Sequence, residues 1–146
     1  GCYGRWRAMI IFDTTTINEG IIRFEKGIPG FGWIRAMQLE QIPRGLWLLK
    51  SVGPHFVMIP PKNVRPDLEL DIDDAVANRL KISSPLDAFA LSVVKLDTKD
   101  NKDLDDYLEN AKVHLHSAIV INVKTRFAMQ AVLPKSPHLG WTPLYA

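Results

Sequence analysis

The chain has 146 residues, of which 47% are apolar and 23% charged. This length and composition are typical of one globular domain, which we expect to span residues 1–146 with residues 1–8 and 134–146 peripheral. The sequence has no apolar run of the roughly 20 residues that a membrane helix needs, so we expect no membrane partner. Cys2 is its only cysteine, which excludes an internal disulfide and favours a reduced, cytoplasmic protein.

The formal net charge of +2 is unevenly distributed. Residues 1–66 hold nine basic and four acidic side chains, residues 67–109 hold five and twelve, and residues 110–146 hold four and none. An acidic middle segment disfavours direct nucleic-acid binding wherever it is exposed, and it attracts basic partners. The alternative is that the acidic residues form only a solvated surface.

Six segments before residue 97 are rich in β-branched and aromatic residues and are bounded by turn-forming residues. The predicted strands are MIIFD (9–13), GIIRFE (20–25), WIRAMQLEQI (33–42), GLWLLKSV (45–52), HFVMIP (55–60) and LDAFALSVVKL (86–96). Gly53-Pro54 predicts a hairpin, and Pro60-Pro61 predicts a strand end. Two short helices are predicted, at residues 73–82 and 103–111.

The segment VHLHSAIVINVKTRFAMQAVL, residues 113–133, alternates apolar and polar side chains. The odd positions are mostly apolar, and a period of two predicts strands with a buried odd face and a wet even face. Because the segment is too long for one strand, we expect a hairpin that turns near Thr125–Ala128. The whole pattern predicts a mainly β, small single-domain fold of about eight strands, barrel-like, with one or two short helices.

The stretch FEKGIPGFGW, residues 24–33, contains three glycines in the order G-x-x-G-x-G. A dinucleotide-binding loop needs G-x-G-x-x-G followed by a helix. Here the glycine order is reversed, and the segment that follows, which could be strand or helix, has no capping residue to start a helix. Pro29-Gly30 is instead typical of a tight turn in which proline fixes its own φ and glycine takes a positive one. We therefore predict a structural corner, and no cofactor.

No spacing in the sequence assembles a nucleophile with a base, so we expect no catalytic residues and no enzyme activity. His114 and His116 share a strand face, but no third ligand is indicated, and we expect no metal site. The four tryptophans are interpreted as mostly core residues. With basic neighbours such as Arg5 and Arg35 they leave open an alternative, an OB-like RNA-binding module.

Two segments carry a resemblance to a known family. IIRFEKGIPGF is similar to the opening signature of the FliW family of bacterial flagellar assembly factors, and AIVINVKTRFAMQAVL is similar to its closing signature. The similarity runs from about Ile17 to Leu133. Its motif residues in this sequence are Gly27, Pro29, Gly30, Phe31, Asn122 and Thr125. The chain departs from the pattern where Ser117-Ala118-Ile119 replaces Ala-Pro-Ile and where RFAM replaces a hairpin glycine.

The resemblance implies a non-enzymatic, monomeric, chaperone-like regulator of translation. FliW proteins are understood to bind flagellin and, after flagellin export, to bind and antagonise the RNA-binding repressor CsrA. CsrA is expected to present basic surface, so we predict that the densest acidic run of the chain faces it. That run is Asp67, Glu69, Asp71, Asp73 and Asp74.

Overall fold

The computed structural model describes residues 5–7, 17–68, 71–97, 103–133 and 140–145. The strands in this part are β1 (Arg5–Arg7), β2 (Gly20–Phe24), β3 (Ala36–Ile42), β4 (Leu46–Lys50), β5 (His55–Ile59), β6 (Asp71–Asp73), β7 (Ala88–Lys95), β8 (Lys112–His114), β9 (Ser117–Asn122), β10 (Phe127–Val132) and β11 (Trp141–Pro143). The α-helices are α1 (Pro61–Val64), α2 (Asp74–Leu80) and α3 (Leu104–Glu109), and a 3-10 helix spans Pro85–Asp87.

Seven strands close into a β-barrel. Their order is β7, β5, β4, β3, β2, β10 and β9, and β9 pairs back with β7. β8 and β11 extend the sheet beyond β7, whereas β1 and β6 form a separate two-stranded sheet. The predicted mainly β, barrel-like fold is therefore confirmed.

Helix and strand numbers differ from the prediction. Three α-helices lie in the described residues instead of one or two, because Pro60-Pro61 both ends β5 and begins α1. Proline is favoured in the first helical turn, where its missing N–H has no intrahelical partner to lose. Most of the additional strands have only three residues, too short to show a period of two. The predicted strand MIIFD (9–13) lies outside the described residues.

The barrel interior is filled by large apolar side chains from every side. Trp47 on β4 is fully buried and meets Phe89 on β7 edge-to-face, with ring centroids 5.7 Å apart. A second cluster lies outside the barrel, where Ala77 and Leu80 of α2 pack on Val120 and Ala131. A third cluster places Leu108 of α3 with residues of β8. Burial of apolar area in these two clusters holds α2 and α3, which would be unstable alone.

The predicted odd-numbered buried face holds in β9, and in β10 it holds at Ala131 but is wrong at Phe127 and Ala128. Ile119 and Ile121 face the interior, but Phe127 is 40% exposed and Ala128 is buried. The cause is the register, which pairs Ala128 with Ile121. Residues opposite each other in an antiparallel pair point to the same side, so even positions of β10 join odd positions of β9. The even face of β9 is not wet either, because α2 covers Val120.

The turn between β9 and β10 occupies residues 123–126, two residues earlier than predicted. The residue before β10, Arg126, has a positive φ of 68°. Among the described residues, no helix has the length and apolar character that crossing a membrane requires.

Candidate partner-binding surfaces

The corner at residues 28–31 is a type II turn. The Phe31 N–H donates to the Ile28 carbonyl oxygen at 2.7 Å, Pro29 occupies the second position, and Gly30 has a φ of 84°. Proline followed by a positive-φ glycine is the signature of this turn type. The predicted structural corner is confirmed, and Gly30 has the predicted positive φ.

Gly27 is under a stricter constraint than Gly30. Its φ is 75°, and a Cβ atom built on it would lie 2.7 Å from the Cα atom of Gly32. The side chain of Arg35 holds this approach, because its Nε donates to the Gly32 carbonyl oxygen at 3.1 Å and its guanidinium also donates to the Glu25 carbonyl. A Cβ added at Gly30, by contrast, meets no described atom within 4 Å. Gly27 therefore lets two backbone segments touch, which only glycine permits.

Asn122 is a buried junction between β9, the following turn and α2. Its Nδ2 donates to the Leu80 carbonyl oxygen at 2.8 Å, at the end of α2. Its Oδ1 accepts from the backbone N–H groups of Lys124 at 2.9 Å and Thr125 at 3.2 Å. One buried amide thus satisfies a helix-end carbonyl and two turn N–H groups that would otherwise lack partners.

The remaining turn residues fix the hairpin without a glycine. The Thr125 Oγ1 accepts from the Phe127 N–H at 3.3 Å, and the Arg126 Nε donates to the Ile21 carbonyl oxygen at 2.9 Å. Lys124, an exposed residue, places its Nζ 3.1 Å from the carboxylate of Asp87, which is buried. The sequence reading missed Asp87, since one carboxylate inside an apolar segment gives no pattern to detect.

The predicted acidic run lies along the segment that leads into α2. Asp67 is exposed in the turn after α1, Asp74 is exposed and begins α2, and Glu69 lies outside the described residues. In the two-stranded sheet, Asp73 pairs in register with Arg5 and Asp71 with Arg7.

Aromatic side chains are exposed at the rim beside the corner, contrary to the expectation that the tryptophans are mostly core. Trp33 is 62% exposed, and its indole ring packs on Gly53 in the turn between β4 and β5. Phe31 lies behind it, 6.2 Å from the rings of both Trp33 and Phe56. The sequence could not assign Trp33, because the stretch around Gly32 has no period. Exposed aromatic groups of this kind are common in protein-binding surfaces.

Trp141 is also exposed, whereas the two histidines of the same region are half-buried. The Trp141 ring lies 5.3 Å from that of His114, and the Lys95 Nζ lies 5.8 Å from the Trp141 ring centroid. The His114 Nδ1 is 3.2 Å from the Ser117 Oγ. In the part of the chain that the structure describes, no three His, Cys, Asp or Glu side chains are grouped so that they could hold a metal ion.

Two clefts meet where the corner faces β10. The outer cleft has a volume of about 330 Å³ and lies between residues 25–32 and residues 127–130. The inner one, about 150 Å³, opens into the barrel interior and is mostly apolar. Ile28, Pro29 and Gln130 line both. The motif residues of the corner thus form one wall of a groove.

Comparison with known proteins identifies the family. A model of the FliW protein family matches residues 10–142. The chain belongs to the FliW family. The resemblance predicted from the GIPGF and INVKT motifs is therefore confirmed.

Several curated relatives are named flagellar assembly factor FliW. Those of Clostridium novyi and Caldicellulosiruptor bescii are 30% and 34% identical to this chain, covering 87% of it and 87% and 81% of their own lengths. The relative from Geobacillus thermodenitrificans is 34% identical over 86% of this chain and 85% of its own. A crystal structure of the flagellar assembly factor FliW superposes with a TM-score of 0.75 at 28% identity and 86% coverage of both chains. The barrel described above is therefore the FliW fold.

Proposed function

We propose that this protein is a flagellar assembly regulator that binds flagellin and, when released from it, binds and antagonises the translational repressor CsrA. The observation that carries the proposal is the family match over residues 10–142. The FliW fold of the barrel supports it. In this mechanism unexported flagellin occupies the protein and CsrA represses translation. Export of flagellin frees the protein, which then removes CsrA from its RNA.

A binding role is also consistent with the surface of the barrel. Trp33 and Val52 are both exposed, and the Trp33 ring packs on Gly53, the residue after Val52. Exposed apolar side chains near a rigid sheet are typical of surfaces that bind other proteins. We propose that the protein works as a cytoplasmic monomer and acts through such contacts, not through chemistry on a substrate.

The acidic run before α2 is our candidate for the CsrA-facing surface. A protein that binds RNA carries basic side chains around its phosphate contacts. Negative charge placed beside that surface attracts the protein and repels RNA phosphates within a Debye length of about 8 Å at physiological salt. The exposed residues Asp67, Asp73 and Asp74 are suited to this role.

The proposal is tested by binding measurements with purified components. Calorimetric titration of the protein with monomeric flagellin and with CsrA from the same host, each treated with RNase, should give a defined stoichiometry for both. Bovine serum albumin is the control for non-specific contact. Binding to single-stranded RNA, with no binding to either protein, would favour the OB-like alternative and overturn the proposal.

A further inference from the structure

The barrel is closed unevenly around β10. On one side β10 pairs with β9 from Ala128 to Val132. On the other side it pairs in parallel with β2 at only two positions, Phe127 with Arg23 and Ala128 with Phe24. Beyond Phe24 the chain leaves the sheet and enters the corner. We call the resulting gap between residues 129–132 and residues 25–30 the seam. Within the described ranges, no strand fills it.

The backbone of β10 presents hydrogen-bonding groups to the seam. The Leu133 N–H donates to the His116 carbonyl oxygen at 2.7 Å, towards β9. Because backbone groups alternate in direction along an antiparallel pair, those of Met129 and Ala131 also point to β9. Those of Gln130 and Val132 therefore point to the seam. An unpaired strand edge is a template for an incoming strand.

The space at the seam fits an extended chain with an apolar side chain. The outer cleft of about 330 Å³ runs beside the edge of β10. The inner cavity of about 150 Å³ continues from it, past Ile28 and Gln130, into the apolar interior. An apolar cavity of that volume accommodates a group the size of benzene. One large apolar side chain can therefore enter while the backbone remains in the outer cleft.

The charges around the outer cleft are mostly basic. Lys26 and Arg79 line it, and Lys81 lines the adjoining cleft beside Phe127. Among the described residues, Glu25 is the one acidic residue that lines either cleft. This arrangement favours a segment that carries acidic residues next to its apolar side chains.

We propose that the seam binds an extended segment of flagellin, apolar with acidic neighbours, which adds to the edge of β10 as a further strand. This inference rests on the proposed function and assigns a surface to one of its two partners. CsrA must carry basic surface for RNA, and the basic rim of the seam repels such a surface. Flagellin is therefore the occupant.

The position of the seam also explains why the two partners exclude each other. The acidic run ends at Asp74, the first residue of α2, and the seam is lined by Arg79 and Leu80 at the end of the same helix. Seven helical residues span about 10 Å. A specific interface covers about 800 Å² on each partner, a patch roughly 30 Å across, which is wider than that separation. Two proteins bound at the two ends of α2 would overlap.

The test uses variants of the full chain in calorimetric titrations with monomeric flagellin. Gln130→Pro removes an N–H that faces the seam and keeps the donors that face β9, so the barrel should survive. We expect at least tenfold weaker flagellin binding, and Gln130→Ala, which keeps the backbone N–H, should stay within about twofold. Lys26→Glu should weaken binding about tenfold, whereas Lys112→Glu, an exposed lysine on β8, should not.

Each outcome decides the inference. If the parent binds flagellin and neither Gln130→Pro nor Lys26→Glu changes the affinity, the seam is not the site, and the proposed function stands. If the parent does not bind flagellin, the proposed function fails and the inference fails with it. If Gln130→Pro does not fold by circular dichroism, the comparison of Lys26→Glu with Lys112→Glu decides alone. A change in the mass of the free protein with Gln130→Pro, measured by light scattering, would assign the seam to self-association and overturn the proposal.

Discussion

Gly27 and Gly30 have similar backbone conformations in very different surroundings. Both have positive φ, but a Cβ atom at Gly27 collides with the backbone of Gly32, and one at Gly30 meets no described atom. We expect Gly27→Ala to destabilise the protein by about 3 kcal/mol or more, and Gly30→Ala by about 1–2 kcal/mol from backbone strain alone. Gly30→Val should cost roughly 1–3 kcal/mol. Urea unfolding measures each value, and equal losses for the two alanine variants would show that the close approach of Gly32 is unimportant.

Asn122 and Thr125 belong to the same motif, but we expect them to contribute differently to the stability of the fold. Asn122→Ala should cost about 2–4 kcal/mol, because it leaves the Leu80 carbonyl and two turn N–H groups without their partner. Thr125→Ala removes one exposed hydrogen bond to the Phe127 N–H and should cost about 0.5–1 kcal/mol. Thermal unfolding of the pair provides the comparison. A loss at Thr125 as large as at Asn122 would contradict the junction described above.

In the hairpin of β9 and β10, the alternation of apolar and polar residues does not correctly predict which residues are buried after the turn. Its register turns Ile121 into the barrel and Phe127 towards solvent. Ile121→Ala should therefore destabilise by roughly 2–5 kcal/mol through the cavity it creates, and Phe127→Ala by less than about 1 kcal/mol. Denaturant midpoints of the two variants test this. Similar losses at both sites would mean that the β10 register is wrong.

Most of the longer strands and two of the helices can be predicted from the sequence. Strands β2 to β5 and β7 follow from β-branched and aromatic runs, and α2 and α3 follow from acidic first turns and helical spacing. The sequence does not predict that the interior-facing positions change from odd in β9 to even in β10. This change depends on Arg126 adopting a positive φ of 68°, which arginine rarely takes. The ion pair of buried Asp87 with exposed Lys124 and the short contact of β10 with β2 depend on residues distant in sequence. No local pattern indicates them.

In the molecule as a whole, two surfaces of opposite charge lie at the two ends of α2. The acidic run ends at its first residue, and the basic rim of the seam includes its last turn. If the acidic run faces CsrA, replacing Asp67, Asp71 and Asp73 together by Asn should slow association with CsrA and flatten its salt dependence. Binding to flagellin should change less, because the seam lies at the other end of α2. Surface plasmon resonance at two salt concentrations measures both effects, and circular dichroism checks that the fold survives. If the triple variant keeps the parent's association rate and salt dependence, the acidic run is only a solvated surface and does not face CsrA.

The motif residues can be identified from the sequence, whereas the groove beside them cannot. Gly27, Gly30 and Asn122 were found through the family signature, and the structure gives each a physical reason to be there. The groove beside the corner was not found, because it is formed by residues 25–32 meeting β10 about a hundred positions later. Trp33 lacks a periodic context, so the sequence predicts it in the core, whereas in the structure it is exposed.

The exchange of partners is tested most directly in a translation reaction reconstituted from purified components. A reporter under a flagellin messenger RNA leader is first repressed by CsrA, then the protein is added, and then monomeric flagellin is added to the same reaction. If both partners compete for the surfaces around α2, the protein should restore translation and flagellin should abolish that restoration. Translation that stays repressed when the protein is added, or stays restored when flagellin is added in excess, would contradict the proposed function.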